Sequence, residues 1–254
     1  GGIIAFVNGG RLYSYNATDN KIARLFAFYD RAEDDRRNRY RGSEIKILDV
    51  EENGNISFLV YGYMNRGTHE GEVGTKLYYY NSLSNTVEEH IFIPYYGSEK
   101  VLIHDVNKLG SINARGELYL YMDKTIYYIN RDTFEYEMVA QNINEDTFFV
   151  SKSNKNLVWQ EPGSDEAEEI RANLMLMNMG TGAIQASDKK ASEYVRPIGF
   201  MNEDLIYGIS DAGDLIYNKL GNITVLLNRI IIQSDGGTVL KEYDGENIYN
   251  RRNH

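Results

Sequence analysis

The stretch "KLYYYNSLSNTVEEHIFI", residues 76–93, decides how the rest of the chain is read. Strand-forming residues run up to Asn81, four turn-type residues ("SLSN") follow, and a segment of alternating character resumes. That pattern is a strand, a tight turn and a return strand. Four further segments repeat it: "RLYSYNATDNKIARLF" from Arg11, "TIYYINRDTFEYEMV" from Thr125, "NLMLMNMGTGAIQAS" from Asn173 and "RIIIQSDGGTVLKEY" from Arg229. Aligned on Leu12, Leu77, Ile126, Leu174 and Ile230, four of the five carry asparagine four positions on (Asn16, Asn81, Asn130, Asn178), and the fifth carries Ser234. Asparagine at a strand end hydrogen-bonds its own backbone and tolerates left-handed geometry, so each segment is expected to be a β-hairpin.

Working outward, each hairpin after the first is preceded by two more strand-like runs. These lie at 44–50 and 56–64, 100–106 and 117–123, 146–151 and 156–161, and 194–200 and 204–210. Four strands in roughly fifty residues is the period of a propeller blade. The expectation is an all-β, β-propeller-like single domain over 1–254, with about five four-stranded blades near 1–30, 44–95, 100–143, 145–190 and 194–250. A sandwich or two stacked meanders is the competing architecture. The first unit has only three runs, "IIAFVN", "RLYSYN" and "KIARLFAF", and lacks its innermost strand. The tail "NIYNRR" (247–252) is the candidate to supply it and close a five-bladed ring, which would remove exposed sheet edges. The other reading is a piece of a longer protein with more blades. The opening "GGIIAF", with no methionine, fits a trimmed or mature fragment.

Composition agrees with a folded β-protein. Hydrophobic residues make up 42% and charged residues 25% of the 254 positions, ordinary globular usage. A chain of this length buries roughly 70–75% of its unfolded surface, enough for a core without staples. Tyrosine, at 21 against 9 Phe and 1 Trp, suits strands with one wet face. A net charge of −10 argues against nucleic acid and against anionic membrane surfaces as partners. With no cysteine there is no disulfide, thiolate nucleophile or thiolate metal site. No apolar run is long enough to insert in a membrane. The charged stretch 29–44 reads as a solvated loop or short helix, and 163–173 as a turn or two of helix excursing from the fourth unit.

Several motifs fail on inspection. "DVEENGNI" (49–56) starts like a calcium loop, but its third and twelfth positions are Glu51 and Val60, so it reads as an Asn-Gly turn. "GEVGTK" (71–76) lacks phosphate-loop order and precedes a strand. "ISDAGD" (209–214) and "QSDGGT" (233–238) miss the Asp-box spacing of sialidase-type propellers. His69, His90, His104 and His254 show no zinc spacing, with His90 placed in an outer strand and His104 in an inner one. No nucleophile elbow is present. Neither a metal nor any cofactor is expected, and no catalytic residue is assigned.

One excursion stands out: "GYMNRGTHEGEVG" (62–74), between the second and third strands of the second unit. It gathers Asn65, Arg66, His69, Glu70 and Glu72 among four glycines, on a scaffold where polar loops carry function. Asn65, Arg66, His69 and Glu70 are therefore the candidate ligand-binding residues, with Arg36, Arg37 and Arg39 as a secondary group. Arginine supplies forked hydrogen bonds to a carboxylate, and histidine a pH-sensitive donor or acceptor. A structural loop whose Arg and Glu pair with each other is the alternative.

"VYGYMNRGTHEGEVG" with "YYYNSLSNTVEE" resembles a segment of uncharacterised envelope-associated proteins of anaerobic Gram-positive gut bacteria, over about residues 44–250. "LYYYNSLSNTV" is similar to the repeats of TolB-like bacterial propellers. The resemblance implies a propeller fold and an extracytoplasmic setting, in the cell envelope or secreted. The functional expectation is a non-catalytic binding module presenting loops from one face to a protein or to a cell-wall or dietary glycan. The alternative is a propeller-based glycan hydrolase or lyase using a carboxylate with His69 or His104.

Overall fold

A computed structural model describes residues 2–28, 42–163, 172–187, 189–211, 215–217 and 223–245. The chain divides into two compact units, Gly1–Ile112 with Gly116–Met138, and Asn113–Arg115 with Val139–His254. In the first unit, β1 (Ile3–Asn8), β2 (Arg11–Asn16) and β3 (Lys21–Ala27) form a three-stranded sheet. Four strands follow as β4 (Ser43–Val50), β5 (Ile56–Tyr63), β6 (Val73–Asn81) and β7 (Thr86–Pro94). A helix, α1 (Glu99–Lys108), leads into β8 (Gly110–Ile112), β9 (Leu118–Met122), β10 (Thr125–Ile129) and β11 (Tyr136–Ala140).

The second unit begins with a 3-10 turn, Glu145–Thr147, and the sheet β12 (Phe148–Val150), β13 (Asn156–Gln160), β14 (Leu174–Asn178) and β15 (Ala183–Ala186). Its other large sheet is β16 (Glu193–Met201), β17 (Asp204–Asp211), β20 (Arg229–Gln233) and β21 (Val239–Asp244). A two-stranded hairpin, β18 (Leu215–Tyr217) and β19 (Ile223–Val225), is inserted between β17 and β20. Five antiparallel meanders in series, with neighbouring strands adjacent in sequence, make this an all-β, propeller-like fold of about five blades.

Each expected hairpin turn is present, and one side chain closes it. Asn16 Oδ1 accepts the Thr18 N–H at 2.9 Å, Asn81 that of Leu83 at 3.0 Å, Asn130 that of Asp132 at 2.8 Å and Asn178 that of Thr181 at 3.1 Å. The left-handed residue is not this asparagine, as expected, but the one four positions on: Asn20, Asn85, Phe134 and Gly182, with φ from 51° to 71°. There the chain must reverse sharply before re-entering the sheet. In the fifth hairpin Ser234 Oγ takes the Thr238 N–H at 3.1 Å and Gly237 turns at φ 83°, one residue earlier. Phe134 is a costly residue in this conformation. Its ring stacks on His90 at 4.1 Å, which offsets the strain and dries the imidazole. Burial accordingly pushes the His90 pKa down.

Strand β5 shows how the sheets of the first unit pack. Ile56, Phe58 and Val60 join a cluster with Leu12, Met64 and Tyr78, while Leu59 and Tyr61 point the other way into a cluster with Leu102, Leu118 and Met122. Period-two alternation thus feeds two cores from one strand. Each such side chain contributes about 1.5–3 kcal/mol on burial.

The segment 100–106 is the main correction to the sequence reading. It is not the inner strand of the third sheet but most of α1, and the short β8 takes the strand's place. Ser98 caps the helix, its Oγ accepting the Lys100 N–H at 3.3 Å. Leu102, Val106 and Leu109 are all at most 1% exposed, a spacing of four and three that fits a helix face. At the other end the Lys46 amino group donates to the Val106 carbonyl at 3.0 Å, a cation on the negative end of the helix. Burial lowers the Lys46 pKa. His104 accordingly lies on the exposed side of α1, not in a strand. The β18–β19 hairpin was also not anticipated. The three-strand reading of the first sheet holds. The segments 29–41 and 164–171 and the tail 247–252 lie outside the described residues, so the loop or helix expected at 29–44, most of the helix expected at 163–173 and the closing strand are not addressed.

Helix and strand make opposite demands on this segment. Leu102→Ala is expected to cost about 2–5 kcal/mol, while Val101→Ala, at a residue 49% exposed, stays within about 0.5 kcal/mol. Urea unfolding of the two variants checks this, and a larger loss at Val101 would restore the strand.

Candidate functional site

The 62–74 loop leaves β5 and returns into β6 with Gly62 and Gly74 facing each other across the ladder. Neither glycine has room for a side chain. A Cβ on Gly62, whose φ is +121°, would sit 2.1 Å from the Gly42 carbonyl oxygen, and one on Gly74 would sit 2.5 Å from that of Ile93. The Tyr63 N–H donates to that same Gly42 oxygen at 2.8 Å. These two glycines therefore serve close backbone packing rather than ligand approach.

Above this pinch the loop closes on itself. Met64 N–H donates to Glu72 O and Gly71 N–H to Met64 O, both at 2.8 Å, and the Glu72 N–H reaches His69 O at 3.1 Å. Two side-chain anchors fix it to the sheet. The His69 ring stacks on Phe92 at 3.9 Å with Nδ1 3.2 Å from Glu72 Oε1. Lys76, 4% exposed, ion-pairs with Glu89 and donates to Thr68 Oγ1 at 3.0 Å. Tyr78 also donates to Glu89, at 3.3 Å, and burial followed by the Glu89 charge pushes its pKa up.

The four candidate residues are thus placed differently. Asn65 is 3% exposed and part of the loop's interior, and Arg66 is half-buried. His69 is half-buried against Phe92, while Glu70 is exposed at the tip with Gly71 and Glu72. The expected Arg–Glu pairing has a counterpart in His69 with Glu72. Arg36, Arg37 and Arg39 lie outside the described residues. In the calcium-like turn, Glu51 Oε2 takes the side-chain amides of Asn53 and Asn55 at 3.2 and 3.1 Å, and Asn55 Oδ1 takes the Ser82 N–H at 2.9 Å. Its polar groups tie two turns of one sheet together. No group of three or more His, Asp or Glu among the described residues is positioned to hold a metal.

The sequence reading passed over a second polar cluster. In the second unit, the turns of the β16–β21 sheet face β13, β14 and β15 across a cleft of about 120 Å³. Asp235, from the "QSDGGT" turn, ion-pairs with Lys155 and accepts the Asn156 Nδ2 at 2.6 Å. The hydrogen bond from Lys155 leads in lowering the Asp235 pKa. Glu203 Oε1 accepts the Ser153 N–H at 3.0 Å. Burial opposes its charge, but hydrogen bonds from Ser151 and Ser153 outweigh burial and hold the carboxyl below the ordinary range. Glu193, on β16, behaves alike: burial opposes its charge, while bonds from Lys190 and Arg229 prevail. Nothing in "MNED" or "SDGG" marks these acids locally, because only the pairing of the two sheets brings them together.

No family model matches the chain, and no curated protein matches it. Among solved structures it is similar to Porphyromonas gingivalis dipeptidyl peptidase 4, at 14% identity and TM-score 0.33, covering 95% of this chain and 46% of that one. It is likewise similar to a chain of the mitotic checkpoint complex (11%, TM-score 0.39, 96% and 62% covered) and to oligogalacturonate lyase in complex with manganese (10%, TM-score 0.38, 97% and 75% covered). The chain spans about half the length of the peptidase. Likeness at this level assigns no activity.

Two outcomes test the site chemistry. Glu89→Gln leaves the buried Lys76 ammonium without its counter-charge and is expected to cost about 1–3 kcal/mol, more than Lys76→Met, which removes both the charge and its need for a partner. Denaturant midpoints of the two variants give the order. Because the Glu193, Glu203 and Asp235 pKa values are depressed in the fold, their stabilisation is present above the unfolded carboxylate range and lost as pH falls through it. Thermal melts across that range should fall less steeply in Glu193→Gln than in the wild type.

Proposed function

We propose that the chain is a non-catalytic binding module of the bacterial cell envelope, recognising a protein or a glycan through loops at one end of its sheets. The carrying observation is the 62–74 loop, a polar excursion held to its sheet by the buried Lys76, paired with an exposed Glu89, and by the His69–Phe92 stack. A preorganised loop loses little freedom on binding, so its contacts convert efficiently into affinity. Arg66, His69 and Glu70 form the contact set, and Asn65 supports them from within. Second-to-third-strand connections are long in three sheets, whereas β9 passes to β10 through Asp123 and Lys124 alone.

Glu193, Glu203 and Asp235 are held below the ordinary carboxylate range, the state of hydrogen-bond acceptors. The envelope setting rests on the resemblance of the 60–74 and 78–89 segments. No helix among the described residues is long and apolar enough to cross a membrane.

Co-sedimentation of the purified chain with Gram-positive cell walls tests the reading. Wild type is expected to pellet with the walls, and Arg66→Ala/His69→Ala to remain largely in the supernatant. Pelleting that survives the double substitution moves the site away from this loop, and no pelleting by either protein removes the wall as the target.

A further inference from the structure

The cleft of the second unit lies at the turn end of its sheets, away from the long connections, and carries a different chemistry. One wall and the floor are apolar, formed by Leu157, Leu176, Met177, Phe200 and Leu205. The rim is polar but close to charge-balanced, because Lys155 compensates Asp235. Glu203 is the remaining charge. Hydrogen bonds from Ser151 and Ser153 hold its carboxylate ionised at the edge of the cleft. A carboxylate has about four acceptor sites, so it can take a further donor from a ligand.

Amides complete the rim. Gln233 Oε1 accepts the Tyr207 hydroxyl at 3.3 Å, which fixes its amide and leaves Nε2 to donate. Asn178 Oδ1 is engaged by the Thr181 N–H, and this likewise orients its Nδ2. Gln185 lies exposed on β15 at the mouth. The same asparagine that closes the hairpin turn thus also lines the cleft.

We propose that this cleft binds a single neutral sugar ring, such as the terminal residue of a glycan. A pyranose has an apolar C–H face for Phe200 and Met177, and hydroxyls that both donate and accept. One hydroxyl donates to the Glu203 carboxylate while others accept from the Gln233 and Asn178 amides. The size agrees: about 120 Å³ is well below the ~300–1,000 Å³ of sites for drug-sized ligands. An anionic sugar is excluded by the buried Glu203 charge. A cationic side chain fits less well, since it carries donors only and leaves the Gln233 and Asn178 amide donors without an acceptor. The proposal goes beyond the loop-based reading and stands on other residues, so either can fail alone.

The test is an NMR titration of the full chain, isotopically labelled, with galactose, glucose, N-acetylglucosamine, galacturonate and argininamide at millimolar concentrations. Binding predicts that at least one neutral sugar shifts the side-chain amide signals of Asn178, Gln185 and Gln233, while galacturonate does not. Glu203→Gln should weaken that binding roughly tenfold through the lost charge-assisted bond. Gln185→Ala, at an exposed position that leaves the fold intact, should weaken it less. Arg66→Ala/His69→Ala should leave the titration unchanged. Absence of shifts with every neutral sugar overturns the proposal. So do equal shifts with galactose and galacturonate, or binding of argininamide alone, which would make the cleft a cation site.

Discussion

At the end of the second strand of the first sheet and of the third strand in three others, an asparagine Oδ1 accepts a backbone N–H two or three residues on, and the fold depends on this small constraint. The bond satisfies a turn amide that the ladder cannot reach and starts the reversal before the left-handed residue completes it. Without it the outer strand could slip by one residue, which would turn every side chain to the wrong face. The register that results puts Tyr78 and Tyr80 of β6 into one core and Leu77 into another. One polar side chain per sheet thus governs which apolar groups are buried.

Rigidity at the candidate loop has the same origin. Gly62 and Gly74 pair because the β5–β6 register brings them opposite each other, and the loop above them closes through its own backbone hydrogen bonds. Lys76, inward on β6, carries its charge into a buried setting where Glu89 and Thr68 receive it. Alone, a buried lysine would be destabilising. Paired, it anchors a polar loop to an apolar sheet, with Glu70 exposed at the tip.

Legibility in the sequence followed the range of the interaction. Strand alternation, the Asn-closed turns and the three-strand first sheet are local and were readable from residues within a few positions of each other. The 100–106 segment was misread because "KVLIHDV" is rich in β-branched and apolar residues, whose strand preference is a weak prior. What settles it as a helix is the Ser98 cap, the Lys46 contact sixty residues away and a core that accepts Leu102 and Val106 on one side. In the loop the cluster of polar residues was visible, but not that Asn65 is interior while Glu70 is at the tip. The histidine–phenylalanine stack joins positions in a loop and a strand that only the folded sheet brings together.

The amino-acid sequence by itself determined the unit of construction: a meander of strands, closed by asparagine turns and repeated at intervals near fifty residues. It determined this because turn chemistry and period-two alternation are properties of neighbouring residues. Tertiary structure alone decided which acids meet. Glu203 and Asp235 are thirty-two positions apart in unremarkable turns, and both come to face Lys155 and Asn156 only because the last sheet packs on the one before it. Burial and the company of hydrogen-bond donors then set their charge, and those are properties of packed neighbours that no local stretch of sequence carries.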